Sequence, residues 1–138
     1  MTGAELDGRM TIDDAGLGKM ASTQKPFIGS VLRQRPELVR SDRPRLVGIF
    51  PKDRSQTFSG GAILCSTDKI SGHGEGWITA VTHSPALGHW IGLGYIAGGY
   101  EVWAGKSVTA ADPVRKGNVA VEIVSPHMFD PEGARMHG

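Results

Sequence analysis

GWITAVTHSPALGHWIGLGYIA, Gly76 to Ala97, is the stretch on which the fold turns. In its first part, GWITAVTH (76–83), Trp77, Thr79, Val81 and His83 fall on one face and Ile78, Ala80 and Thr82 on the other. That is the period of two imposed by a pleated strand. In WIGLGYIA (90–97), Ile91, Leu93 and Tyr95 share one face while Trp90 points to the opposite one. Between them SPALG has the chemistry of a single helical turn. The Ser84 hydroxyl can accept from the N–H groups of the turn, Pro85 presets φ at its first position, and Gly88 can stop it in the left-handed region.

The same letters could be read as a catalytic cluster, because Ser84 and His89 with Asp112 spell a nucleophilic triad on paper. Ser84 is followed by Pro85 and lacks the strained strand-to-helix elbow that exposes a nucleophile. Capping explains it without further assumptions. The expectation is strand, capped turn, strand.

Outward from this hairpin the pattern repeats. RLVGIF (45–50), AILCS (62–66), KSVTAAD (106–112) and NVAVEIV (118–124) are further strand candidates bounded by Gly, Pro, Asp or Asn. In NVAVEIV, Val119, Val121 and Ile123 alternate with Ala120, Glu122 and Val124. Six closely spaced strands with no long helix between them indicate an antiparallel barrel of Greek-key or jelly-roll type, and a mainly β protein. Twenty glycines and eight prolines suit so many turns.

The barrel is expected over residues 44–138. Residues 1–43 form a second region, in which 1 to about 25 carry little hydrophobic periodicity and read as an irregular arm needing a surface to lie against. After it, KPFIGSVLRQRP (25–36) places Phe27, Ile28, Val31 and Leu32 at helical spacing, with Pro26 in a first turn and Pro36 closing one short amphipathic helix. A linker bearing Arg40, Arg43 and Arg45 leads into the first strand.

Bulk properties exclude several functions. With 138 residues there is room for one core. Fifteen Lys plus Arg against fourteen Asp plus Glu provide no field to gather nucleic acid or anionic lipid. No run approaches the roughly 20 apolar residues of a membrane-spanning helix, and the N-terminal text has no signal-like apolar core. One cysteine, Cys65, rules out an intrachain disulfide and suits a reducing compartment. A soluble cytoplasmic protein is expected.

Local motifs add little chemistry. GLGK (16–19) lacks the spacing and the following Ser or Thr of a phosphate loop, Asp13 and Met20 standing in those places. GHGEG (72–76) has no helix behind it and reads as a hairpin turn. The histidines, at 73, 83, 89, 127 and 137, form no metal-ligating pair, so no metal is expected.

Four segments in order carry a resemblance to a known family. DGRMTIDDAGLGKMASTQKPFIGSVLRQRP (7–36), RLVGIF (45–50), GWITAVTHSPALGHWIGLGYI (76–96) and SPHMFDPEGARMHG (125–138) resemble the C-terminal part of the aminomethyltransferase family, the folate-dependent T proteins of glycine cleavage and their relatives. The likeness is greatest to the branch formed by the α subunits of heterotetrameric sarcosine oxidases. It covers nearly the whole chain.

The resemblance implies a C-terminal barrel capping a folate cavity, and transfer of a one-carbon unit from an aminomethyl or imine donor to tetrahydrofolate. The family's catalytic aspartate and pterin-holding glutamate would lie upstream of the arm, so no catalytic residue is assigned. Only Lys25 is carried over, matching a basic residue that in relatives reaches the benzoyl-glutamate tail. Lys19 stands where many relatives have a tryptophan, which removes a stacking surface. A partner polypeptide supplying the rest of the folate site is implied, docked along DDAGLGKM (13–20). The competing reading is a stand-alone barrel that serves as a binding module, and the arm discriminates: protection from hydrogen exchange in the monomer would mean that it already has a home.

Overall fold

A computed structural model describes residues 4–66, 72–115 and 117–136. Six strands form at the places expected from the sequence: β1 (Pro44–Pro51), β2 (Ile63–Cys65), β3 (Gly76–Ser84), β4 (His89–Ala97), β5 (Val108–Asp112) and β6 (Gly117–Val124), with one helical turn, α1 (Tyr100–Trp103). They close into a barrel in the order β1-β4-β3-β2-β5-β6, every neighbouring pair antiparallel. β2, β3 and β4 follow one another as hairpins and β1 lies beside β4, which is a Greek key. β1, flanked by β4 and β6, seals the wall.

Val47, Ile49, Leu64, Ile78, Ile96, Val108, Val121 and Ile123 fill the interior. β4 makes room for them with glycine. A Cβ on Gly94 would lie 2.8 Å from Ile49 Cδ1 and 2.5 Å from the Trp77 carbonyl oxygen, and one on Gly92 would lie 2.7 Å from the Phe58 ring. The hairpin turn has the expected geometry: Leu87 N–H donates to Ser84 Oγ at 3.3 Å, Gly88 N–H to Ser84 O at 2.9 Å, and Gly88 has φ 72°.

Two details differ from the sequence reading. A bulge between Ile78 and Ala80 breaks the alternation of β3. Thr79 is the extra residue, its hydroxyl bonded to Leu93 O at 3.1 Å, and beyond it the faces exchange, so that Val81 packs on the same core as Ile78. Alternation on β4 survives, with Trp90 against the core and Tyr95 outside the core cluster. The helix expected over 25–36 is reduced to 3-10 turns at Leu32–Gln34 and Pro36–Leu38. Gly29 at φ 91° interrupts it, Pro36 opens a turn instead of closing a helix, and Phe27, Ile28, Val31 and Leu32 are exposed with no core beneath them.

The arm lies partly on the barrel. Leu46 N–H donates to Asp14 O at 2.8 Å, and the hydroxyl of the fully buried Tyr95 donates to Glu5 O at 2.8 Å. Glu5, Asp14 and Ala15 are buried there. The arm's first three residues lie outside the described residues.

Gly94→Val is expected to overpack the barrel and cost about 1 to 3 kcal/mol in chemical denaturation. Tyr95→Phe removes a single bond and is expected to cost about 1 kcal/mol, while raising amide exchange selectively over residues 5–15.

Candidate functional site

The junction of arm and barrel gathers most of the charged side chains held in defined geometry. Its basis is local. Thr11 and Asp14 form a reciprocal capping box, Asp14 N–H donating to Thr11 Oγ at 3.2 Å and Thr11 N–H to Asp14 Oδ2 at 2.9 Å. The same carboxylate receives Arg43 Nε at 3.1 Å on each oxygen, and Arg43 Nη2 also reaches Arg9 O at 2.8 Å. Beside it, Asp13 takes a bidentate grip from Arg33. Two acidic neighbours in DDAG thus fasten the arm in two directions, so the first half of the strip expected to dock a partner, DDAGLGKM (13–20), is taken up by this chain's own Arg33, Arg43 and Leu46.

Burial alone would push the Asp14 carboxyl up, but the Arg43 guanidinium and the Thr11 donors outweigh it and hold the group below its usual range. Hydrogen bonds from Arg33 lower Asp13 in the same way. Arg45, from β1, has no carboxylate within ion-pair distance among the described residues, although its charge also favours ionised Asp13.

Two concavities meet at Asp13, Asp14 and Arg45. One, of ≈ 320 Å³, adds Arg33, Gln34, Leu38, Val39 and Arg40; the other, of ≈ 240 Å³, adds Tyr100, Glu101 and the segment Ser125–His127. Both are open to solvent, and their cations Arg33 and Arg40 are already paired with Asp13 and with Asp42 and Glu37. Neither offers the enclosed aromatic slot that a pterin ring would need.

Lys25 lies outside both concavities. It is exposed, on a bend whose backbone is fastened by its own N–H donating to Ser22 Oγ at 2.9 Å. Lys19 is exposed as well. The paper triad is not assembled: Ser84 caps its turn, His89 Nδ1 lies 2.8 Å from Trp90 O with its ring against Phe50, and Asp112 is engaged by Arg115. The backbone N–H and guanidinium of Arg115 lower Asp112 to about 2. Among the described residues no group of three His, Cys, Asp or Glu could hold a metal ion. His137 lies outside the described residues. Cys65 is buried, its thiol pushed up by burial and by Glu75. The sequence reading missed the Asp13–Arg33 and Asp14–Arg43 pairs; the Thr-x-x-Asp spacing signals only the local Thr11–Asp14 box.

Arg43→Ala leaves the Asp14 carboxylate buried without its cation and is expected to cost about 3 kcal/mol. Since the folded-state carboxyl of Asp14 lies below its unfolded value, its contribution is complete above about pH 4 and is lost as pH falls through the lower folded value. Arm release followed by hydrogen exchange is therefore expected to be acid-dependent in the native chain and to lose that dependence in Asp14→Asn.

The residues 45–130 match the family model described as the glycine cleavage T-protein C-terminal barrel domain. Among curated proteins, sarcosine oxidase subunit alpha of Corynebacterium sp. (strain U-96) is 36% identical over 142 residues, covering 100% of this chain and 14% of that protein. The subunit alpha of Rhizobium meliloti (strain 1021) is 31% identical, covering 99% of this chain and 14% of that protein. The chain thus spans about one seventh of the length of these relatives. A solved structure, the glycine cleavage system aminomethyltransferase T of Bartonella henselae, matches 63% of this chain and 22% of its own at 21% identity, with a TM-score of 0.46. With most of the barrel, from the start of β1 to the segment beyond β6, inside the family match, the chain belongs to the glycine cleavage T-protein C-terminal barrel family.

Proposed function

We propose that this chain acts as the C-terminal barrel portion of a sarcosine oxidase α-like folate protein, in which a one-carbon unit passes from an aminomethyl or imine donor to tetrahydrofolate. The observation that carries this reading is the alignment of the entire chain with one seventh of sarcosine oxidase subunit alpha at 36% identity. In this reading residues 1–43 are the remnant of a folate-binding domain and 44–138 the cap.

The arm supports it physically. Beyond the docked stretch 5–15, Met20, Ile28 and Val31 are 77%, 103% and 82% exposed, and none of the three 3-10 turns between residues 18 and 38 buries a residue. An apolar strip of this kind on a segment held by Arg33 and Arg43 is suited to the remaining domains or to another subunit. Lys25, on the same strip, would orient the tail carboxylates of a folate bound there. An exposed pair of this kind contributes about 0 to 1 kcal/mol, whereas micromolar affinity takes about 8. The chemistry therefore belongs to groups supplied by the rest of the assembly. A free, buried Cys65 fits a cytoplasmic setting.

A second reading, a stand-alone interaction module, draws on the docked half of the arm, which has a home on Tyr95 and Leu46. Hydrogen exchange separates the two: the first expects protection to stop near residue 16, the second to continue through 39.

Calorimetric titration of the isolated chain with tetrahydrofolate is expected to give a dissociation constant no tighter than about millimolar. Micromolar binding by the chain alone overturns the first reading.

A further inference from the structure

Barrel closure does not use the full length of the β3–β4 hairpin. β2 pairs with β3 only at Ile63↔Trp77 and Leu64↔Gly76, and the bonds Gly61 N–H to Ile78 O and Ile78 N–H to Ala62 O carry the contact as far as the bulge. Beyond it, β3 runs from Ala80 to Ser84 paired with β4 alone. Among the described residues, no backbone group of another segment bonds to Ala80–His83 on the opposite edge.

Sheets ordinarily guard such an edge with lysine, proline, inward charge or a bulge, and here the bulge at Thr79 stands only at one end of it. Ala80, Val81 and Thr82 carry no charge, and Pro85 comes only after the strand has ended. A second observation coincides with the first. On the same hairpin lies a concavity of ≈ 140 Å³ walled by Ala80–Thr82, Ile91–Leu93 and Met128, almost wholly apolar. Met128 is brought there by the segment after β6, which crosses Gly48 so closely that a Cβ on that glycine would be 2.5 Å from Ser125 O.

We propose that this edge and groove form a docking site for an extended, uncharged segment of a partner polypeptide, which adds a strand beside Ala80–His83 and places one aliphatic side chain in the groove. A row of alternating donors and acceptors at strand spacing is matched by another backbone. Nucleic acid or anionic lipid would need cations, and no Lys or Arg stands on this edge or in the groove. A second copy of the chain is the competing occupant, and sedimentation of the free protein distinguishes it. The site is independent of the folate reading, lying on the barrel and not on the arm.

The test uses nuclear magnetic resonance on the isotopically labelled full chain. The probe is an acetylated, amidated peptide of Thr, Val, Leu, Val and Thr flanked by lysines, with a counterpart N-methylated at alternate residues. The expected result is saturable shifts confined to Ala80–His83, Ile91–Leu93 and Met128. Binding is expected to weaken at least about tenfold with the N-methylated peptide and in Thr82→Asp. Thr82 is exposed, so that variant is expected to keep its spectrum elsewhere. The proposal is overturned by the absence of shifts at about 5 mM peptide, by shifts elsewhere, by equal binding of the N-methylated peptide, or by sedimentation showing that the edge takes a second copy.

Discussion

The narrowness of a six-stranded barrel governs the rest of this structure. Side chains from facing walls meet inside, and a wall lined with branched residues at every inward position would not close. Gly92 and Gly94 lie where Phe58 and Ile49 come across, so β4 gives up two inward side chains and lets the opposite wall fill the space. β4 can then pair with both β1 and β3. Its outward Tyr95, fully buried beneath the arm, supplies a fixed point outside the barrel.

That fixed point divides the first 43 residues into unequal parts. The stretch from Glu5 to Ala15 is tied down through backbone bonds to Tyr95 and Leu46 and through the buried pair of Asp14 and Arg43. From Leu17 to Val39 the chain keeps its shape through short turns and the Asp13–Arg33 pair, with large apolar side chains directed at solvent. A segment that is ordered by ion pairs and turns, without burial, differs from a disordered tail. Its shape is set in advance, which lowers the entropic cost of meeting a partner.

Much of this was legible from letters alone, for physical reasons that differ by element. All six strands were readable because short apolar runs bounded by turn residues recur at close spacing, with alternation added at 90–97 and 118–124, and SPALG because a capping serine, a first-position proline and a terminal glycine stand at the right offsets. Two things were not. The bulge at Thr79 leaves no mark in the pattern, since threonine suits either face of a strand, and only the register against Leu93 exposes it. The segment 25–36 carries helical spacing, yet spacing stabilises a helix only when the apolar face has something to pack on, and Gly29 removes the remaining local preference. At the junction, Arg33 looks like a polar residue of the segment 25–36 and Arg43 like an ordinary member of the basic linker until their partners twenty and twenty-nine residues earlier are in place.

The position of β1 carries a kinetic consequence. The first strand of the barrel is bonded to β4 on one side and to β6, the last strand, on the other. The β3–β4 hairpin can form from neighbouring residues, whereas β1 must wait for β6, about seventy residues later, to close the wall. One side of β1 can pair as soon as β4 has emerged, but its other side stays open until residues 117–124 follow, so the expected order of assembly is hairpin first and closure of the wall last.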